Sequence, residues 1–236
     1  MLALTHPRAA YLRIAESLDL RLCVRLDKMR RSGMFQGITH IFDAGANEGA
    51  YGSACARILP FAEIICFEPV PATYKTLVAN TKRYSQIKPV NLALGSSRTE
   101  LPMNVGNFHV SNSLLKMNTK HLENWPGSAP SDIVMVPVVP LDEFIEKEGI
   151  KGNYFLKADV QGYEIELLKG ASQSLARCNL LQLEVSLVPL YEGAPTFAEV
   201  WNYVTSVGFS LLDVVDLLHS PKGGTPVSCD LIFVRA

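Results

Sequence analysis

The chain has 236 residues, 48% of them hydrophobic, so it can bury the core of one α/β domain with an extension. Its formal net charge is −1 and it has no long basic block, which argues against broad binding to nucleic acid or to an anionic membrane. No apolar run reaches the ~18–20 residues of a membrane span, and the N-terminus lacks the apolar segment of a signal peptide. The five cysteines are scattered, so we expect a cytoplasmic protein with reduced thiols and no metal site of the zinc type.

The first predicted element is a helix over residues 8–31. It is followed by Gly33 and Gly37, which end it. Residues 1–37 are therefore interpreted as an N-terminal helical extension that forms a lid or the contact of a possible homodimer. The apolar stripe on which this rests contains Leu12, Leu18, Leu22 and Leu26.

Residues 38–236 alternate short apolar runs with helical stretches, which is typical of a mostly parallel sheet. The loop 217–228 is too rich in Gly and Pro for a crossover helix, so the last strand should run antiparallel to its neighbours. The pattern predicts a Rossmann-like, doubly wound α/β fold whose seven-stranded sheet is mostly parallel with one antiparallel strand. The predicted strands are 38–46, 63–69, 87–95, 154–160, 180–186, 209–216 and 229–236, and the predicted helices are 49–59, 71–84, 163–177 and 196–207.

An insertion at about 96–153 interrupts this alternation. We expect a pair of strands there, at 99–106 and 133–144, separated by a long polar loop, and then a short helix at 141–148. Long loops inside compact domains are often functional.

The first chemical motif, DAGANEG, follows the first predicted strand. Gly45 and Gly49 allow the backbone to turn and to approach a ligand closely. The dinucleotide-binding pattern G-x-G-x-x-G is absent, which disfavours an NAD-dependent oxidoreductase. Asp43 would repel a pyrophosphate but suits a ligand with positive charge, such as the sulfonium and ammonium groups of S-adenosylmethionine.

The second motif is FEPVP, at the end of the next predicted strand. Glu68 follows the glycine turn by about 20 residues, the spacing at which a carboxylate takes the hydroxyls of a ribose. Pro69 fixes the backbone where the next helix begins. The third predicted strand ends in NLALG, where Ala93 can flank an adenine ring.

The third motif, LKADVQGYE, has Lys157 and Asp159 at the end of an otherwise apolar strand. Two opposite charges on one face of a strand can pair, and ligands of such sheets bind at the carboxyl ends of the strands. Glu184 ends the next strand in a comparable position, and His109 lies in the polar insertion. Asp159, then His109 and Glu184, are the candidate bases for deprotonating a hydroxyl group.

These motifs together resemble the FkbM family of S-adenosylmethionine-dependent methyltransferases. The resemblance runs from about Ile38 to Ala236, and KADVQGYEIELLKGA is its most specific string. It implies O-methylation of a sugar or natural-product hydroxyl as the reaction. Gln161 stands where the family often has Glu, and Ala44 replaces a commoner Val. The cofactor residues that the resemblance implies are Asp43, Gly45, Asn47, Gly49 and Glu68.

The sequence therefore predicts an S-adenosylmethionine-dependent methyltransferase that acts on a small-molecule acceptor. Two alternatives stay open at this point. One is metal-assisted deprotonation with Asp159 and Glu184 as oxygen ligands, and the other is a non-catalytic protein that only binds the cofactor.

Overall fold

The computed structural model describes residues 20–106 and 111–236. Residues 20–31 are helical, and we name them α1. The main sheet is formed by β1 (Ile38–Ala44), β2 (Glu63–Phe67), β3 (Ile87–Val90), β7 (Asn153–Ala158), β8 (Cys178–Ser186), β9 (Phe209–His219) and β10 (Pro226–Arg235). A smaller sheet is formed by β4 (Ala93–Leu94), β5 (Thr99–Gly106) and β6 (Pro130–Val139). The other α-helices are α2 (Ala50–Ile58), α3 (Pro71–Thr81), α4 (Thr119–Asn124), α5 (Leu141–Glu148), α6 (Glu164–Lys169) and α7 (Phe197–Ser206).

The main sheet has the strand order β3-β2-β1-β7-β8-β10-β9. The pairs β1–β2, β2–β3, β1–β7 and β7–β8 are parallel, whereas β10 is antiparallel to both β8 and β9. The predicted fold class, a mostly parallel seven-stranded sheet with one antiparallel strand, is confirmed. Because β1 and β7 are adjacent central strands, their carboxyl ends meet at the middle of one sheet edge, where ligands of such folds bind.

Three predicted elements are wrong in extent by more than three residues. The strand predicted at 133–144 is β6, which ends at Val139, and the residues from Leu141 onward belong to α5. The strand predicted at 87–95 is divided into β3 and β4, which belong to different sheets. The chain turns between them at Asn91, whose side-chain amide donates to the carbonyls of Glu68 and Pro69. The helix predicted at 163–177 ends at Lys169 and is followed by a short 3-10 helix, Ser174–Arg177. Between them, the backbone of Gly170 passes in direct contact with that of Gly95, where a Cβ would overlap the Gly95 carbonyl.

The insertion forms the smaller sheet, in which β5 and β6 are antiparallel over most of their length. This sheet begins at Ala93, a few residues before the insertion predicted from the sequence. Residues 111–118 then cross from β5 toward the end of the main sheet, through backbone bridges from Ser113 to Asn104 and from Met117 to Tyr191. This crossing segment is the roof of the cavity described below.

The described part of the N-terminal extension packs against one face of the main sheet. Leu26 of α1 is fully buried with Phe35, Ile38 and Phe155, and Leu22 packs at the margin of the same cluster. The remainder of the predicted helix, residues 8–19 with Leu12 and Leu18, lies outside the described residues. No helix within the described ranges is long and apolar enough to cross a membrane.

The two outer strands of the main sheet, β3 and β9, are irregular. Pro89 lies within β3. In β9 the pairing to β10 shifts register at three places, and Asp216 has a left-handed backbone (φ 50°). Among the described residues, no further strand pairs with either of them.

Candidate active site

A cavity of about 90 Å³ lies at the carboxyl ends of β1, β2 and β7. Residues of the glycine turn, of the end of β2 and of the segment after β7 form its walls, and Met103, Asn112 and Leu114 close it from the side of the smaller sheet. Sites for small molecules usually measure about 300–1,000 Å³. A nucleoside would therefore have to displace this roof on entering. The lining residues are Ala44, Gly45, Asn47, Phe67, Glu68, Pro69, Leu92, Ala93, Leu94, Met103, Asn112, Leu114, Asp159, Val160, Gln161 and Tyr163.

The glycine turn brings the chain close to the end of β7. Gly45 has φ 75°, and a Cβ there would overlap the carbonyl oxygen of Asp159. Its N–H donates to the Phe67 carbonyl (3.1 Å), which ties the turn to the end of β2. Gly49 has φ 89° and lies off the cavity, where a Cβ would come within 2.7 Å of the side chains of Leu77 and Thr81. Gly45 thus shapes the cavity wall, while Gly49 allows α2 to pack on α3.

Glu68 is a buried carboxylate at the end of β2. It accepts backbone N–H bonds from Asn47 and Val70, both at 3.0 Å, so each oxygen keeps a lone pair for a further donor. Burial raises the pKa of Glu68 to about 7, although these two bonds and Lys157 favour the charged form. The side-chain oxygen of Asn47 is buried and has no hydrogen-bond partner among the described residues. These acceptors fit the hydroxyl and amino groups of an adenosine cofactor.

Asp43 lies below the cavity rather than on its wall. Its carboxylate is fully buried, with Oδ1 3.3 Å from Nζ of Lys157 and Oδ2 3.8 Å from Sγ of Cys66. Burial raises the pKa of Asp43 despite the ammonium of Lys157. Burial would lower the pKa of Lys157, but Asp43, Asp159 and Asp230 together raise it. The two shifts are compatible. One ammonium group faces several carboxylates, so its positive charge is well compensated, whereas each carboxylate has to share that single positive charge with the others.

Lys157 links this buried layer to the cavity. Its Nζ lies 3.6 Å from Oδ2 of Asp159 and 3.4 Å from the carbonyl oxygen of Gly45. The pairing of Lys157 with Asp159 is the one expected for opposite charges at alternate positions of a strand. The lysine therefore holds the glycine turn and the strand end in fixed relation.

Asp159 and Glu184 form a hydrogen-bonded carboxyl pair at the ends of β7 and β8. Asp159 exposes 37% of its side chain toward the cavity. Burial opposes its charge, but Lys157 and hydrogen bonds from Glu184 and Gln161 hold the pKa of Asp159 below its usual range. Burial and the neighbouring charge of Asp159 raise the pKa of Glu184 well above the usual range. Of the two, Glu184 therefore holds a proton more readily, and Asp159, beside Lys157, favours the charged form and faces the cavity.

Six of the nominated residues line the cavity: Gly45, Asn47, Glu68, Pro69, Ala93 and Asp159. Asp43, Gly49 and Glu184 lie behind its walls. His109 is outside the described residues. Of the part of the chain that is described, no group of three or more His, Cys, Asp or Glu side chains is arranged to hold a metal ion.

Several residues of the site were not identified from the sequence. Gln161 bridges the two carboxyl groups, and Tyr191 donates to Gln161 from the loop after β8. Ser113 of the roof donates to the Gln161 carbonyl (2.7 Å). Gln161 lies within the third motif, so its position was a usable signal. Ser113 and Tyr191 come from distant parts of the chain, and no local pattern marks them.

Comparison with known proteins assigns the chain to a family. The fold is that of an α/β domain, and its cavity at the strand ends has free acceptors on Glu68 and Asn47 near Asp159. A model of the methyltransferase FkbM domain matches residues 43–211, more than half of the chain, and the protein belongs to this family of S-adenosylmethionine-dependent methyltransferases. That cofactor carries the ribose and amino groups for which Glu68 and Asn47 have free acceptors.

Curated relatives are also methyltransferases. The chain is 27% identical over 146 residues to the hexuronic acid methyltransferase AglP of Haloferax volcanii, which covers 61% of this chain and 55% of the relative. It is 23% identical to the 2-O-methyltransferase NoeI of Sinorhizobium fredii, over 65% of each chain. It is 26% identical to Methyltransferase 1 of Beauveria bassiana, over 88% of each. The matched region thus spans between about half and two thirds of the first two relatives.

Proposed function

We propose that this protein transfers the methyl group of S-adenosylmethionine to a hydroxyl group of a small acceptor, a sugar or a natural product. The observation that carries the proposal is that an ionised carboxylate, Asp159, shares one cavity wall with Gly45 and Glu68. A cofactor site and a candidate base therefore belong to the same cavity. The names of AglP and NoeI, which act on sugars, support a sugar as the acceptor.

Each wall of the cavity has a role in this proposal. Glu68 accepts hydrogen bonds from the ribose hydroxyls, and the side-chain oxygen of Asn47 accepts from a cofactor N–H group. Leu92 and Ala93 form an apolar surface for the adenine ring. Gly45 leaves room for the ligand beside the backbone. Pro69 fixes the chain between the Glu68 carboxylate and the start of α3.

When bound, S-adenosylmethionine would supply an electrophilic methyl group on its sulfonium and would leave as S-adenosylhomocysteine when the sulfur–carbon bond breaks. Asp159 then has two tasks: it orients the acceptor through a hydrogen bond to its hydroxyl, and it takes the hydroxyl proton as the oxygen forms its new bond. Lys157 keeps Asp159 ionised before that step. Glu184, already protonated, supports Asp159 through the hydrogen bond between them. Asp43 acts one layer deeper, by positioning Lys157.

The test is methyl transfer from labelled S-adenosylmethionine to a panel of uronic acids, neutral glycosides and hydroxylated natural products. We expect product with at least one acceptor, and a loss of turnover in Asp159→Asn with cofactor binding retained. Glu184→Gln is the matched control, because glutamine is neutral as the protonated Glu184 is. Binding of S-adenosylhomocysteine without turnover on any acceptor would favour a non-catalytic role. Turnover abolished by chelator and restored by Mg²⁺ would favour the metal-assisted route.

Two further proposals concern the cellular compartment of the protein and its oligomeric state. Cys55, Cys66, Cys178 and Cys229 are buried thiols without a disulfide, which favours a reducing compartment such as the cytoplasm. Leu20 and Val24 of α1 are 65% and 62% exposed and line an apolar groove with Leu212 and Ile232 of the sheet, which supports a homodimer contact at this groove. Light scattering of the full chain measures the oligomeric mass directly.

A further inference from the structure

Gln161 forms hydrogen bonds to both members of the carboxyl pair at once. Its Nε2 lies 2.6 Å from Oδ1 of Asp159 and 2.5 Å from Oε2 of Glu184. We infer that Gln161 is a positioning residue that holds these two carboxyl groups in register, with Asp159, the member beside Lys157, on the cavity wall and Glu184 behind it. This inference rests on the proposed function, since it assigns the environment of the proposed base.

The orientation of the Gln161 amide follows from its third partner. The Tyr191 hydroxyl lies 2.7 Å from Oε1 of Gln161 and 3.3 Å from the carbonyl oxygen of Ser111. A hydroxyl has one proton to donate, and the shorter contact is to Gln161. If the amide were rotated by half a turn, its carbonyl oxygen would face the anionic Asp159 instead. The two N–H donors of Gln161 are therefore directed at the carboxyl pair, and Tyr191 locks them there.

The backbone of Gln161 is held as firmly as its side chain. Its φ of 54° is in the left-handed region, which a residue with a side chain seldom occupies. Ser113 of the roof donates to its carbonyl oxygen at 2.7 Å. On the next residue, the Gly162 N–H donates to Glu164 at 3.1 Å. These contacts fix the direction in which the Gln161 side chain leaves the chain.

The charged groups around Asp159 and Glu184 require a neutral donor, the Gln161 amide, between the two carboxyl groups. The ammonium of Lys157 faces Asp159, whereas the carboxyl groups of Glu164 and Asp230 lie near Glu184 and disfavour its charge. Asp43 competes for the same ammonium from below. The one ammonium of Lys157 thus faces three acidic groups, Asp43, Asp159 and Asp230. One N–H of Gln161 stabilises the Asp159 anion without adding charge, and the other holds Glu184 beside it.

The test compares Gln161→Leu, which removes both donors at similar size, with Gln161→Glu, which replaces the amide by a carboxyl group. Loss of hydrogen bonds to an ionised group should raise the pKa of Asp159 by about one to two pH units in Gln161→Leu. The acidic limb of the kcat/KM profile should move upward by the same amount, and further in Gln161→Glu. Tyr191→Phe should move it less, in the same direction. Affinity for S-adenosylhomocysteine should change little in Tyr191→Phe, because Tyr191 does not line the cavity, so a shifted profile in that variant reports the carboxyl pair and not cofactor binding.

The matched control is Gln86→Leu. Gln86 also donates from Nε2 to two acceptors, the carbonyls of Ala56 and Leu59, but contacts neither carboxyl group. It should lower stability without moving the pH profile. A folded Gln161→Leu variant with an unmoved acidic limb would overturn the inference. If Gln161→Leu does not fold, Tyr191→Phe decides in the same way.

Carboxyl ¹³C titration of Asp159 and Glu184 in the ligand-free protein separates this inference from the proposed function. We expect two well-separated transitions in the wild type and a raised Asp159 transition in the Gln161 variants. Superimposed transitions in the wild type would refute the placement of the proton, whatever the activity. A wild type without methyl transfer but with the expected titration would refute the proposed function alone.

Discussion

Replacing Lys157 by methionine should destabilise the protein strongly, and more so at high pH. The ammonium is 3.3 Å from Asp43, a carboxylate with 0% exposure, and 3.6 Å from Asp159, which is 37% exposed. Breaking a buried pair by removing one partner lowers the free energy of unfolding by about 3–5 kcal/mol. Solvent at the cavity screens the interaction between Lys157 and Asp159. We therefore expect the free energy of unfolding to fall by about 3 kcal/mol, the lower end of this range.

The pH dependence of this loss has a definite sign. Without the ammonium, burial raises the pKa of Asp43 still further. A carboxyl group with a raised pKa binds more protons in the folded than in the unfolded protein, so stability falls as pH rises from the unfolded pKa through the raised one. The difference between Lys157→Met and wild type should therefore be larger at pH 8 than at pH 5.

Denaturant unfolding followed by tryptophan fluorescence measures this loss. Lys169→Met is the matched control, since its ammonium lies 2.6 Å from Glu166 in a pair that is 51% and 35% exposed, and such pairs contribute about 0–1 kcal/mol. Adding Asp43→Asn to Lys157→Met should recover part of the loss, because the uncompensated charge is then gone. The reasoning is refuted if Lys157→Met is no less stable than Lys169→Met at pH 8, or if its deficit does not vary with pH.

Further outcomes are expected elsewhere in the molecule. Glu68→Ala should weaken S-adenosylhomocysteine binding at least about tenfold in calorimetry. The affinity of the wild type for S-adenosylhomocysteine should rise from pH 6 to pH 8, because the Glu68 pKa is about 7 and only the ionised carboxylate accepts from both ribose hydroxyls. Asp159→Asn should lower kcat by ~10²–10⁴-fold, and Glu184→Gln should lower kcat much less. Equal losses of kcat in the two variants would contradict the assignment of the proton to Glu184. If His109 is the base instead, His109→Ala should show the larger fall in kcat. Leu26→Ala should lower the free energy of unfolding by about 2–5 kcal/mol and leave kcat unchanged, since this side chain is fully buried away from the cavity.

The fold was readable from the sequence because its strands are short, apolar and separated by clear helices. The loop 217–228 was informative as well, since its glycines and prolines excluded a crossover helix and so gave the antiparallel strand β10. The errors arose where backbone contacts between distant parts of the chain lie at the ends of a strand or a helix. Neither the bonds of Asn91 to the end of β2 nor the contact of Gly170 with Gly95 leaves a local signature.

The candidate site was predictable to the extent that strand ends determine it. Glu68 and Asp159 follow buried strands, and both line the cavity. Asp43 also lies at a strand end, but the alternation of side chains along a strand does not say whether a given face meets a ligand or a helix. Its full burial against Lys157 and Cys66 depends on how α2 packs, which the sequence does not encode locally.

The irregular outer strands bear on how the protein behaves at high concentration. β9 has 11 residues, and its Val214 and Leu217 are 50% and 48% exposed, which is the composition of a strand that recruits further chains into fibrils. Its register shifts and the left-handed Asp216 break the straight row of backbone donors and acceptors that such growth requires. Pro89 removes a donor at the opposite edge. Deleting Asp216, which removes the left-handed residue, should therefore increase thioflavin-positive aggregation relative to the wild type.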